Sequence, residues 1–288
     1  MDQYAINEHT TRGTEVLLMR WLRPRHLVLL NTGITLLAFL CSYTVSVSLD
    51  LVAPLFPSIS QTGAEPPASC IFSLLLNAGA VFGVLCVYMR HRHVEQHTHT
   101  LTSRASDDVT IIPHVLNDIS MCVGCTSWFG VMVVAAFQST HALLPHYLGA
   151  VVAFTCGNLY AWLQTYFTFR LAGGLVPMVW VRGTLAAVSS VCLSLVFLFV
   201  ALAMRFEGGV VDPLHWKPWE PGYKFHLVTD FSEWTMAVCD LLAFLTLYVE
   251  FKLLDTTVQV SRKEPDTGVK NVPKESLSVG GKHGESAT

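Results

Sequence analysis

Four ionisable side chains share one stripe of the run HLVTDFSEWTMAVCDLLAFLTLYVE, residues 226–250. On a helix advancing about 100° per residue, His226, Asp230, Glu233 and Asp240 fall within about 80° of one another, with Ala237 among them. An imidazole and three carboxyls on one face can pass protons, gather a cation or hold a polar headgroup. The same groups can instead form a structural network, with neutral carboxyls bonded to Asn77, Asn158 or Gln164 on neighbouring helices. The helical rise puts Glu233 roughly 10 Å and Asp240 roughly 21 Å below the helix end that carries His226.

Other spacings carry less. HRHVEQHTH holds His91, His93, His97 and His99, and His93 with His97 has the i, i+4 spacing of a helical metal pair. No third ligand stands nearby, so a solvated loop is expected there, with Arg90 and Arg92 anchoring the preceding helix. CVGC, residues 122–125, has redox spacing, yet it lies inside an apolar run without the electropositive setting a reactive thiolate needs. GAVFG, residues 79–83, fits close helix contact, within a bundle or across a dimer seam. Phosphate-cradling glycine loops, HExxH and GxSxG are missing, so no metal, cofactor, nucleic-acid or soluble-enzyme chemistry is expected.

The elements that must position the stripe follow from composition. Of 288 residues 52% are hydrophobic and 14% charged, against about 25% charged in soluble domains. A bilayer core of about 30 Å needs about 20 apolar residues per spanning helix. Six such runs occur, near Leu27–Leu49, Cys70–Met89, Val115–Phe137, His146–Phe169, Gly183–Met204 and His226–Glu250. Runs this long must be helices, because lipid offers their backbone no partners and barrel strands are shorter. The expected fold is therefore an all-α polytopic membrane protein with six transmembrane helices over residues 27–254.

Of the 18 lysines and arginines, only Arg205, Lys217 and Lys224 fall on one side of that arrangement. The positive-inside bias puts both termini in the cytosol and the loop between the first two helices on the exoplasmic side. Residues 1–26 form a cytosolic N-terminal segment, retained rather than cleaved. Residues 255–288 are too poor in large apolar side chains to fold alone and form a disordered tail that could bind a protein partner. YVEF, residues 248–251, sits where the last helix leaves the membrane, a poor position for an adaptor signal.

The exoplasmic loop carries a more specific pattern. PSISQTGAEPPASCIF, residues 57–72, has the order P-x-I-S, Gly, Pro-Pro, Ser, Ile-Phe. Pro66 and Pro67 stiffen the approach to the second helix, and Ser69 is placed to cap it. Three further stretches follow: NAGAV (residues 77–81), AAFQSTHALLPHYLGAVVAFTCGNLYAWLQ (135–164) and YKFHLVTDFSEWTMA (223–237). In this order they resemble the Frag/DRAM/Sfk family of six-helix membrane proteins, which includes the damage-regulated autophagy modulators and the tentonin group.

That resemblance covers about residues 27–254. Its matching positions are Pro57, Ser60, Gly63, Pro66, Pro67 and Ser69 in the signature loop, Phe137, Gln138 and His146 around the second hairpin, and His226, Glu233 and Trp234 in the last helix. PPASC and GNLYAWLQ look like the tentonin side, whereas W-x-P-W-x-P-G-Y-x-F-H and SEWTMA look like the autophagy modulators. The long N-terminal segment, Asp230 and Asp240 depart from the family pattern. The resemblance implies a non-enzymatic protein that promotes or tunes autophagy at lysosomal or endosomal membranes, with membrane lipids as ligands. Its other branches imply a plasma-membrane regulator of phosphoinositide kinase or a mechanosensitive channel component, or a factor remodelling glycosylphosphatidylinositol lipids. For the last, His146, His226 and Glu233 would have to converge as acid and base. The oligomeric state is not fixed by the sequence.

Overall fold

A computed structural model describes residues 23–103, 111–174, 176–206, 212 and 214–252. Most of the expected N-terminal segment and all of the tail at 255–288 lie outside these residues. Among the described residues, all regular secondary structure is helical: α1 Pro24–Ser48, α2 Ile59–Thr62, α3 Ala68–Thr102, α4 His114–Ala136, α5 Leu143–Leu171, α6 Pro177–Phe206, α7 Tyr223–Leu245 and α8 Leu247–Phe251. Punctuation residues explain several of these bounds. Pro24 occupies the first turn of α1, where its missing N–H costs nothing, and Gly222 precedes α7 at φ 90°, a conformation that disfavours other residues.

Among the described residues, five helices are long and apolar enough to cross a membrane, and they coincide with five of the six expected spans. The remaining span falls on α5, which has the length but is diluted by His146, Asn158 and Gln164. The chain is an all-α polytopic membrane protein.

Burial runs opposite to that of a soluble bundle. Leu37, Leu40, Leu74, Leu144, Leu148 and Val191 face outwards, while Asn31, Ser42, Arg90, Ser120, Arg182 and Asp230 are buried. Apolar side chains meet lipid at no cost, whereas polar groups need partners and find them inside the bundle. The long helices pack in chain order, α1 on α3, α3 on α4, α4 on α5, α5 on α6 and α6 on α7, and α7 with α8 returns against α1. The result is a closed ring of six long helices.

Small residues set the closest approaches. A Cβ on Gly130 of α4 would lie 2.5 Å from the Ala153 amide nitrogen of α5, so only glycine permits that backbone contact. Gly79 and Gly83 of GAVFG face Thr35 of α1 and Trp128 of α4, which makes this motif a contact within the bundle. Gly124 of CVGC likewise packs on Tyr160 and Val87.

Three local expectations need correction. The histidine-rich stretch is not a loop: α3 runs unbroken to Thr102, because no Pro or Gly interrupts it and Arg92 pairs with Glu95 one turn on at 2.5 Å. Ser69 does not cap α3. The helix begins one residue earlier, so Ser69 sits in its first turn with its amide bonded to the Glu65 carbonyl at 2.9 Å. The last span is also two helices, divided at Thr246.

Candidate functional site

The signature loop folds over one end of the ring, here called the loop end. Ser58 and Gln61 form a reciprocal capping box on α2: Ser58 Oγ accepts the Gln61 amide at 3.1 Å and Gln61 Oε1 accepts the Ser58 amide at 3.0 Å. Ser42 and Ser46 of α1 fasten the other side of α2, with Ser42 Oγ 2.9 Å from Thr62 Oγ1 and Ser46 Oγ donating to the Thr62 carbonyl at 2.6 Å. Gly63 lets the chain pass over the ring of Phe72, which a Cβ would meet at 2.5 Å. The Pro66–Pro67 peptide, just before α3, is cis.

The loop is pinned to α7. Trp234 Nε1 donates to the Pro57 carbonyl at 2.8 Å, its ring held edge-on by Phe39 and Tyr43 of α1. The Ser60 amide hydrogen-bonds the Glu233 carboxyl. His226 Nε2 lies 3.2 Å from Asp230 Oδ2 and 3.4 Å from Gln61 Nε2, under the stacked ring of Trp216 with centroids 4.6 Å apart. The connection before α7 completes this cover: His215 bridges the Asp212 carboxylate at 2.7 Å and the Asp50 carbonyl at 3.1 Å, and Ala53 N–H bonds the Leu214 carbonyl at 2.9 Å. Slight burial works against ionisation of Asp212, but the Leu214 amide and the His215 ring hold its carboxyl below the ordinary range.

The acidic stripe divides within the ring. Glu233 and Asp240 line a central cavity of about 340 Å³, together with Ser60, His146 and Thr229. Asp230 and His226 form a separate pair beneath Trp216. The expected amide partners are engaged elsewhere. Asn77 bonds Ser73 of its own helix, Asn158 bonds the Ala186 carbonyl and Ser190, and Gln164 bonds Arg90 and Ser120. Asp240 instead accepts Ser189 Oγ of α6 at 2.7 Å. His146 Nδ1 is 2.7 Å from the Phe137 carbonyl, so this residue closes the α4–α5 turn as well as facing the cavity. Gln138 stays in that turn, its carbonyl taking the amides of His141 and Ala142. His146, His226 and Glu233 are thus each held by a different partner.

A second polar centre, at the opposite end, was not legible as a site in the sequence. Arg90 of α3 and Arg182 of α6 are 1% and 2% exposed and share the Glu250 carboxylate of α8. Arg182 Nη1 reaches Glu250 Oε1 at 3.0 Å and Arg90 Nη1 binds its other oxygen. Arg90 Nε also donates to Gln164 Oε1 at 2.8 Å, and Gln164 Nε2 to Ser120 Oγ at 3.0 Å. Arg182 Nε donates to Thr246 Oγ1 at 2.7 Å, and its Nη1 also meets Thr168 Oγ1. Five helices and the α7–α8 break converge on this one network. The only sequence signal was a pair of arginines near the ends of apolar runs, which also serves to mark topology.

The cavity joins the two centres. Its wall runs from Ser60, His146 and Glu233 past Ser127, Gly157 and Asp240 to Tyr160, Gln164 and Arg182, between apolar side chains such as Phe72, Trp128, Phe154 and Phe244.

Comparison with known proteins gives this architecture a context. Residues 25–254 match the family model described as the Frag1/DRAM/Sfk1/Cwh43P N-terminal domain. The chain is similar to DNA damage-regulated autophagy modulator protein 2 of Rattus norvegicus, 31% identical over 236 residues, which cover 79% of this chain and 83% of the relative. It is 30% identical to DNA damage-regulated autophagy modulator protein 1 of Homo sapiens over 226 residues, 78% of this chain and 88% of that one. A shorter match of 117 residues, 34% identical and covering 40% of this chain and 45% of the relative, is to the modulator of macroautophagy TMEM150B-A of Xenopus laevis. No solved structure matches.

Proposed function

Because the chain belongs to the Frag1/DRAM/Sfk1 family, we propose that it promotes or tunes autophagy from lysosomal or endosomal membranes, without catalysing a reaction and with membrane lipids as its ligands. The observation that carries this reading is the similarity along most of the chain to two kinds of relative whose names declare autophagy modulators. In this reading six helices cross the bilayer, both termini are cytosolic, and the loop end faces the lumen. Glu233 is the residue through which the luminal cover and the central cavity communicate, since it bonds the Ser60 amide and lines the cavity. The separate engagement of His146, His226 and Glu233 favours a binding role for these groups over acid–base chemistry.

The test is a chain tagged after Thr288 and expressed at low level, scored against lysosomal and plasma-membrane markers, with autophagic flux read in the same cells. Lysosomal signal and a flux response to overexpression are expected, with the response reduced by Glu233→Gln at unchanged protein level. Surface signal with unchanged flux would reject the reading.

A further inference from the structure

The arginine centre is not balanced within itself. Arg90 and Arg182 bring two guanidinium groups to one carboxylate, Glu250. Among the described residues, Nη2 of each arginine is buried without a hydrogen-bond partner. Five N–H donors in a fixed fork are costly to leave unmet in a low-dielectric interior. Arg182 lines the central cavity, and beside it on the wall stands Tyr160, 7% exposed, whose hydroxyl is also without a partner among the described residues. Arg182 and Tyr160, each with an unpartnered buried donor, thus both stand on the wall of this cavity, next to a surplus positive charge.

The rest of the space is of another kind. Away from Arg182 the wall is mostly apolar, built from side chains such as Trp128, Val131, Phe154, Phe197 and Phe244, with carboxyls at Asp240 and, at the loop end, Glu233, and neutral polar groups at Ser127, Thr229 and His146. Both carboxyls are already engaged, by Ser189 and by the Ser60 amide. At about 340 Å³ the cavity is at the lower end of the range of about 300–1,000 Å³ for small-molecule sites, too narrow for a two-chain lipid within its walls.

We infer that this cavity binds a single-chain anionic amphiphile, its headgroup held by Arg182 Nη2 and the Tyr160 hydroxyl and its hydrocarbon chain running along the aromatic wall towards Glu233. The anion supplies the second negative charge that the two arginines lack. This deepens the reading of lipids as ligands by naming the class and the site, and it is tested on purified protein without reference to autophagy, so either can fail alone.

The experiment uses the full chain in a neutral detergent. Binding of radiolabelled palmitate is measured at equilibrium, with hexadecanol and inorganic phosphate as competitors. Saturable palmitate binding is expected, with hexadecanol and phosphate each at least about tenfold weaker, since each lacks one half of the recognition. Tyr160→Phe removes a hydroxyl without a protein partner and should weaken palmitate about tenfold while leaving folding intact, the loss of a hydrogen bond to a charged group. Ala150→Phe, which narrows the cavity towards His146, should weaken palmitate and leave an eight-carbon chain unaffected. Phosphate binding as tight as palmitate would overturn the amphiphile and leave a plain anion site. Equal binding of hexadecanol, or palmitate binding insensitive to both substitutions, would overturn the proposal.

Discussion

The two polar centres of this molecule solve the same problem by different means. At the loop end, three side chains are satisfied by backbone: Trp234 of α7 by the Pro57 carbonyl, Glu233 of α7 by the Ser60 amide, and His146 of α5 by the Phe137 carbonyl. At the opposite end, side chains satisfy side chains, with Arg90, Arg182, Glu250, Gln164 and Thr168 binding one another. A backbone partner is present wherever the chain folds, so the loop end tolerates the loss of single groups. A charge network has no such reserve, because each member is the partner of another buried ion. The first centre closes a lid, and the second locks five helices together.

The sharpest way to break this contrast is Glu250→Leu. It leaves two buried guanidinium groups without their carboxylate, and removal of one partner from a buried ionic network costs about 3–5 kcal/mol. Loss of the monodisperse folded peak on fluorescence-detected gel filtration is expected, or a large fall in thermal stability where protein survives. Replacing Arg90 and Arg182 by Met in the same chain removes the stranded charges and should recover most of the loss. If Glu250→Leu alone were as stable as the parent, the locking role would be refuted.

The same logic predicts smaller effects at the lid. Trp234→Phe keeps a ring against Phe39 and Tyr43 but removes the donor to Pro57, a change of about 1 kcal/mol. Ser58→Ala removes the cap of α2 at a similar cost of about 1 kcal/mol. Both proteins should purify normally with modestly lower melting temperatures in detergent. Hydrogen–deuterium exchange should rise in residues 57–64 while α3 stays protected around Arg90. Exchange spreading to α3 would show that the two ends are one cooperative unit.

How far each centre could be read from sequence follows from how it is built. Five of the expected spans were legible because lipid imposes a length and an apolar character on a helix that crosses it, and several loop-end groups were legible because they lie within short motifs. Glu233 and Trp234 are adjacent in one run, whereas the Ser58-x-x-Gln61 capping box lies outside the loop positions read from the sequence, and its link to His226 crosses from the first loop to the last helix. The arginine centre has no local pattern. Arg90 and Glu250 are 160 positions apart, and Arg90 and Arg182 look like residues that mark the cytosolic edge. The histidine-rich stretch has the polarity of a loop, yet nothing in it breaks a helix and α3 continues through it. Asp230 and Asp240 shared a helical face in the sequence yet serve different surroundings, since a stripe about 80° wide still spans more than one neighbour.

The smallest expected effect separates the lid's exposed edge from its buried hinge. Asp212 is held below the ordinary carboxyl range by the Leu214 amide at 3.0 Å and by His215, against slight opposing burial, and its side chain is half exposed. A depressed folded-state pKa means that its stabilisation is present above the ordinary value of 3.8 and is lost as the pH falls through the folded value. Between pH 7 and pH 5 the wild-type lid should therefore be unchanged on this account, and below about pH 4 the Leu214 amide should exchange faster. Asp212→Asn should show the faster exchange at every pH, with no step near pH 4 and little change in melting temperature, because an exposed pair is worth about 0–1 kcal/mol. A step that persists in Asp212→Asn would place the acid response in another carboxyl of the lid, and would mean that the edge is not what holds Trp216 over His226.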